Sequence, residues 1–251
     1  VKWNGMGKPK FIGLANYIYI FQDKVFLKSI FNTFYYAVAT VPLLMALALF
    51  LAVMLNSKIP LRGFIRSAVY APAVVSTVVV GTVFTWIFQD QLGLINYLLT
   101  SVGAKAIQWN NDPKFAMLML VTATMWQKAG YNMVIYLSSI SGIDTTLYEA
   151  AVMDGANKRQ QVFHITLPCL KNVIIMMFIL NVGKIFYSDF GLFYQLSQGA
   201  SGSIFKTTAT IDTYIYNALR SSTIGMTSAA AFFQSVACCI TIILANAIVK
   251  K

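Results

Sequence analysis

A chain of 251 residues with 58% hydrophobic and only 11% charged side chains, at a mean hydropathy of +0.67, falls far short of the roughly one-quarter charged composition of soluble domains. An ordinary water-soluble globule is excluded, and an integral membrane protein is expected. The formal net charge of +11 would suggest nucleic acid in a soluble protein. Here the lysines and arginines sit mostly between apolar runs, so anionic lipid headgroups are the expected counterpart.

The sequence starts Val1-Lys2-Trp3-Asn4-Gly5, with no initiator methionine and no signal-peptide pattern, so an upstream segment is expected. Gly5, Gly7, Pro9 and Gly13 give turns. Residues 16–31 then carry an apolar stripe (Tyr17, Ile20, Phe21, Val25, Leu27, Phe31) opposite Gln22, Asp23, Lys24 and Lys28, the pattern of an interfacial helix. Residues 1–29 are accordingly read as an extracytoplasmic or interfacial segment, and residues 30–251 as a transmembrane domain.

Five runs approach the roughly 20 residues that a helix needs to cross the hydrocarbon core. They are 30–55 with Pro42 inside, 67–88 with Pro72 in its first turns and Gly81 near its middle, and 115–140 interrupted by Trp126-Gln127-Lys128-Ala129-Gly130. The fourth is 170–186, carrying Asn181 and Lys184, and the fifth is 224–249. They are too long and continuous for barrel strands, so the fold class is all-α and polytopic. Three basic connections, with Lys58, Arg62 and Arg66, with Lys158 and Arg159, and with Lys250 and Lys251, alternate along the chain and belong in the cytoplasm. Five spans then place the N-terminus outside, where Lys2, Lys8, Lys10, Lys24 and Lys28 run against the same rule. A further helix before Val1 resolves the topology but not that excess of lysine. Of the outer connections, 89–114 carries Gly93, Gly103, Asp112 and Pro113. The longest, 187–223, has a flexible turn at 197–202 and a short surface helix expected at 207–219.

The cytoplasmic loop 141–169 is a polar island that holds the only glutamate, Glu149, and the only histidine, His164. Asp144 and Thr146 are both N-cap residue types, and Thr146-Leu147-Tyr148-Glu149 fits a capping box, so a helix is expected over 147–153. Asp154-Gly155 can end it, because glycine takes the left-handed conformation at low cost. A second short helix over 156–163 then leads into the fourth span, with Pro168 in its opening turns. The product is a helix-turn-helix outside the membrane. Ala150 and Ala151 leave a smooth face for a partner's groove, and Glu149 offers a charge to an arginine or lysine. Taken alone, Glu-Ala-Ala fits an ordinary amphipathic loop equally well.

The longer pattern is more specific. Glu149-Ala150-Ala151, Gly155 after three residues and Ile165-x-Leu167-Pro168 after nine more resemble the cytoplasmic signature of permease subunits of ATP-binding-cassette (ABC) importers. The flanks agree: Ile143-Asp144, Leu147-Tyr148 and Asp154-Gly155-Ala156. The style is that of the sugar-transporting, maltose-type branch, closest to oligosaccharide and polysaccharide permeases. Gly13-Leu14-Ala15-Asn16-Tyr17, Arg62-Gly63-Phe64-x-Arg66, Tyr70-x-Pro72, Gly93-Leu94-Ile95-Asn96, Ile211-Asp212-Thr213-Tyr214-Ile215-Tyr216 and Ala245-Asn246 share it. The resemblance implies a type I ABC importer permease fold whose first core helix precedes this chain. It implies a coupling helix that docks on ATPase subunits through Glu149, Ala150, Ala151, Asp154, Gly155 and Ala156. The partners it implies are a second permease, two ATP-binding subunits and an extracytoplasmic sugar-binding protein, in a bacterial cytoplasmic membrane. Lys184 and Asp189 have no counterpart in that pattern, so their role stays open.

No Gly-x-x-x-x-Gly-Lys-Ser/Thr is present, since Gly183-Lys184 lacks both the upstream glycine and the hydroxyl. ATP and magnesium are therefore expected in partner subunits. With one histidine and scattered carboxylates, no catalytic set, metal cluster or cofactor site assembles, and a non-enzyme is expected. Cys169, Cys238 and Cys239 read as small apolar packing residues. Polar residues at membrane depth face cavities or partners. Trp126, Gln127, Lys128, Tyr131, Asn132, Asn181, Lys184 and Tyr187 are thus candidates for a sugar path, with rings to stack on pyranoses and amides to bond hydroxyls. The same residues could instead hold helices together. Competing readings are an ABC permease for a non-sugar solute and a membrane scaffold that recruits a soluble factor. A secondary transporter is disfavoured by the lack of an internal repeat and of an acidic residue deep in a span.

Overall fold

The computed structural model describes residues 8, 10–57, 59–109, 111–184, 186–187, 190–196, 204–221 and 224–249. Lys2, Gly5, Gly7, Pro9, Lys58, Asp189, the expected turn at 197–202, Lys250 and Lys251 lie outside the described residues. Among the described residues the regular structure is helical, and strands are absent.

The expected helix over 16–31 is two helices, α1 (Ala15–Gln22) and the start of α2 (Lys24–Asn56). Asp23 divides them. Its backbone is extended, and its carboxylate accepts from the Val25 amide at 2.8 Å, which starts a new helix. The buried side chains are Ile20, Phe26 and Ser29, while Phe21, Val25, Leu27 and Phe31 of the expected stripe are exposed. α2 runs unbroken through Pro42 for 33 residues, roughly 50 Å at 1.5 Å per residue, longer than the ~30 Å hydrocarbon core.

The second expected span is broken in two, α3 (Arg62–Val74) and α4 (Thr77–Ile87). Val75 and Ser76 between them are extended. Pro72 lies in the last turn of α3, not the first turns of a span. The third is a single helix, α6 (Pro113–Ser141), which continues through residues 126–130 without a break. The fourth is shorter than expected: α9 (Leu167–Cys169) leads, across a bend of 64°, into α10 (Lys171–Gly183). Lys184 therefore lies past the helix end. The fifth, α14, is Ile224–Val249. Among the described residues α2 and α14 are each long and apolar enough to cross a membrane, and counting each bent pair as one span brings the number to four. α6 is long enough, at 29 residues, but its polar middle leaves it less apolar.

The chain divides into two compact units. One comprises Val1–Ala39, Ser76–Thr124 and Val182–Lys251. Its core joins Ile20 of α1 and Phe26 to Ile211 and Tyr214 of α13 (Ile211–Arg220) and to Ala229 and Ala230 of α14. Phe21, Phe26 and Phe233 meet edge to face at 5.4–5.9 Å, a favoured aromatic geometry. The Tyr214 hydroxyl donates to Asp23 Oδ2 at 2.8 Å. Burial first, and then that bond, hold the phenol well above its ordinary pKa. The helix expected at 207–219 is α12 (Phe205–Thr208) followed by α13. In the same unit α11 (Phe190–Leu196) packs on α4 through glycines. A Cβ on Gly81 would lie 2.8 Å from the Gln195 Cβ, and one on Gly191 would lie 2.7 Å from Thr77 Oγ1, the small-residue packing that drives association in lipid.

The other unit comprises Thr40–Val75 and Met125–Asn181. Its core is Ala48, Ala52 and Leu55 of α2, Met133, Tyr136, Leu137 and Ile140 of α6, Leu170, and Met177 of α10. α6 meets α3 so closely at Gly130 that a Cβ there would lie 2.1 Å from the Val69 carbonyl oxygen.

Candidate functional site

The polar island folds as a capped helix-turn-helix. Its first helix is α7 (Thr145–Met153). The capping box expected at Thr146 is absent, and Asp144 caps the helix instead. Its carboxylate accepts from the Thr146 amide at 3.0 Å, and this bond holds its pKa below the ordinary aspartate range. Asp144 places a full negative charge at the helix N-terminus, where the helix dipole favours it. The far end closes in a Schellman motif. The Gly155 amide donates to Val152 O at 3.0 Å and the Ala156 amide to Ala151 O at 2.8 Å, with Gly155 at φ 79°.

The second helix, α8 (Lys158–Gln161), starts with the capping box that the first lacks. The Asn157 side chain accepts from the Gln160 amide at 2.9 Å, and the Gln160 side chain accepts from the Asn157 amide at 2.7 Å. A π-helical turn over Val162–Thr166 follows, and His164 Nδ1 lies 3.0 Å from Gln160 O. One contact ties α7 to the π-helical turn, and another ties α8 to the turn that links the two helices. The Tyr148 hydroxyl meets Thr166 Oγ1 at 2.9 Å, and buried Gln161 donates to Ala156 O at 3.0 Å. Neither Tyr148–Thr166 nor Gln161 stands out in the sequence. The first pair is 18 residues apart, and the glutamine sits in an ordinary polar run.

No residue of α7 is buried. Glu149, Ala150, Asp154 and Gly155 are exposed, and Ala151 and Ala156 half-buried. Met153 is 88% exposed and Val152 58%, and Leu147 and Phe163 are exposed as well. A helix held rigidly at both ends, with apolar side chains outward on a basic loop, has the properties of an uncovered contact surface.

The candidate path residues separate by role. Trp126 and Tyr131 on α6 are about half exposed, Gln127 and Asn132 are buried, and Lys128 is half-buried. Asn181 of α10 donates to Asn132 Oδ1 at 3.1 Å and to Met177 O at 2.8 Å, while Asn132 donates to Lys128 O at 2.9 Å. This amide pair ties α6 to α10. Gln127 Nε2 faces Val75 O at 3.5 Å, the carbonyl released where α3 stops, and Gln127 Oε1 is buried without a partner. Lys184 and Tyr187 belong to the other unit and are exposed. The Tyr187 hydroxyl lies 3.5 Å from Ser235 Oγ. Among the described residues no group of three His, Cys, Asp or Glu could hold a metal ion.

These features define a helical integral membrane protein with spans broken or bent at two places and a rigid extramembranous helix pair. Residues 11–251 match the family described as "Binding-protein-dependent transport system inner membrane component", and the chain belongs to that family. It is thus an inner-membrane permease component of an ABC transport system. It is 34% identical over 220 residues to the probable ABC transporter permease protein YurN of Bacillus subtilis, covering 86% of this chain and 74% of YurN. It is also 34% identical over 212 residues to the lactose transport system permease protein LacF of Rhizobium radiobacter, covering 83% and 70%. A chain of a bacterial ABC transporter involved in importing the acidic polysaccharide alginate superposes with a TM-score of 0.90 at 26% identity, over 97% of this chain and 85% of that one.

Proposed function

We propose that this permease carries an oligosaccharide or polysaccharide fragment inward, driven by ATP hydrolysed in two separate subunits that bind the nucleotide and its magnesium. The observation that carries the coupling half is α7, which has no buried residue and a defined cap at each end. Each ATPase subunit receives one such helix, from this chain or from a second permease, in a surface groove. Glu149 pairs with a basic side chain there, and Ala150, Ala151, Asp154, Gly155 and Ala156 allow close approach. When the ATPase pair closes, α7 moves as a rigid body because Tyr148–Thr166 and Gln161–Ala156 leave it no independent freedom. The motion passes to α6 and to α10, between which the Asn132–Asn181 bond runs.

The carbohydrate half is supported by the relatives, whose names specify lactose and alginate. The rings of Trp126, Tyr131 and Tyr187, the amides of Gln127, Asn132 and Asn181 and the ammonium groups of Lys128 and Lys184 suit such a solute. An extracytoplasmic binding protein delivers the sugar to the outer loops. The test is reconstitution of the chain with its co-purifying partners in vesicles. ATP-dependent uptake of labelled oligosaccharide, reduced in Tyr131→Ala and Lys184→Ala, is the expected result. Uptake of a different solute class alone would replace the sugar, and no ATP-dependent uptake of any solute would leave a scaffold.

A further inference from the structure

The loop between α4 and α6 is folded inside out. Its helix α5 (Leu94–Ser101) carries no charged residue, and its one buried side chain is polar. Asn96 sits at the centre of the loop. It donates to Asp90 O at 2.9 Å and Ile107 O at 2.7 Å, and accepts from the Ile107 amide at 3.1 Å and Trp109 Nε1 at 3.0 Å. Trp109 is itself buried, edge-on to Phe88 at 4.9 Å and Phe115 at 5.4 Å. With the polar group inward, the apolar groups face out. Leu94, Tyr97 and Leu98 lie on one exposed stripe at helical spacing, and Val102 follows it. Tyr97 and Trp86 are each 70% exposed and line the same groove of about 470 Å³ with Asp90, Gln91 and Thr100.

Such a helix is wrong for water and right for a lipid boundary. Three observations name lipid as the occupant. α5 and Val102 themselves carry no charge that would mark a protein partner. Their exposed face continues the exposed apolar row Val79, Val83, Trp86 on α4, a helix of one of the bent pairs that together are long and apolar enough to cross a membrane. Tryptophan and tyrosine meet where that pair ends, the position of the aromatic belt at a bilayer surface. We propose that α5 and Val102 form an interfacial foot that beds in the headgroup–acyl boundary of the outer leaflet, with lipid atoms between Trp86 and Tyr97. The Asn96 hydrogen bonds hold the foot at a fixed depth and so fix the outer end of α4. The proposal rests on membrane residence and not on which solute is carried.

The test uses the complete transporter, with its partners, in phospholipid nanodiscs. Cys169, Cys238 and Cys239 are replaced by alanine, and a nitroxide is attached at Leu98→Cys or Val102→Cys, with Lys105→Cys as the aqueous reference. Oxygen is expected to relax the labels at 98 and 102 more than a nickel chelate does, with the opposite order at 105. A chelate preference at 98 and 102 means water, and protection from both reagents means a covering protein. Either result overturns the proposal. A second measurement keeps the native cysteines: acyl chains brominated near the headgroup should quench the fluorescence lost in Trp86→Phe. Equal quenching of the parent and Trp86→Phe also overturns it.

Discussion

Gly130→Ala should destabilise this protein, although the same change stabilises most helices. Alanine gains about 1 kcal/mol over glycine in an open helix, and Gly130 lies within α6. The added Cβ, however, would sit 2.1 Å from the Val69 carbonyl oxygen, 2.7 Å from the Tyr70 Cα and 2.8 Å from the Val69 carbonyl carbon. All three are backbone atoms of α3, so no side-chain rotation relieves them. Ordinary contact needs about 3.5 Å, which means that α3 and α6 must part by more than about 1 Å at the crossing. Overpacking of this kind costs about 1–3 kcal/mol or more and outweighs the helix gain. At about 2–4 °C per kcal/mol for a chain of this size, the thermal midpoint in mild detergent should fall by several degrees. Gly63→Ala, on α3 where nothing lies within 4 Å of a Cβ, should leave it unchanged or raise it. A Gly130→Ala protein as stable as the parent would refute the tight α3–α6 crossing.

Three other outcomes follow from local geometry. Asn96→Ala removes four hydrogen bonds at about 1 kcal/mol each, and Asn96→Asp keeps only the two accepted ones while facing two carbonyls. Both should red-shift the Trp109 emission and open residues 102–112 to protease. The depressed pKa of Asp144 makes its cap stabilising above about pH 4, the unfolded aspartate range, and that stability is lost as pH falls through the lower folded value. The protection of the Thr146 amide against hydrogen exchange, relative to its intrinsic rate at each pH, should fall over that acid window in the parent. In Asp144→Asn it should show no such step, because the amide caps without titrating. Gly155→Trp forces a bulky residue to φ 79°, where L side chains are strained by about 1–2 kcal/mol. It should weaken co-purification of the ATPase subunits, as should Glu149→Lys, with the thermal midpoint of the membrane part retained.

The polar island was legible because it is compositionally distinct. Asp154-Gly155 ends α7 where the sequence places it. α14 was legible for the opposite reason, as one uninterrupted apolar run. The break between α3 and α4 was not. It falls at Val75–Ser76, in a run as apolar as its neighbours. The tertiary contacts at that point, Gln127 with Val75 O and Gly130 with Val69, come from a helix some 50 residues later. The division at Asp23 was missed because its hydrogen bond to the Val25 amide competes with a helical pattern that continues on both sides. Threonine and aspartate both suit an N-cap, and spacing alone favoured Thr146 where geometry chose Asp144. The Asn96 cluster was invisible because hydrophobic periodicity assigns the polar side of a helix to the outside, and here the polar side is within.

The coupling claim is tested most directly by a photo-cross-linker at position 150, Ala150 being an exposed residue of α7, in the assembled transporter with and without ATP. Adducts to an ATPase subunit in both conditions, mapping to one groove on that subunit, are predicted. Adducts to lipid alone, or none in an assembly that still hydrolyses ATP and imports solute, would contradict the account.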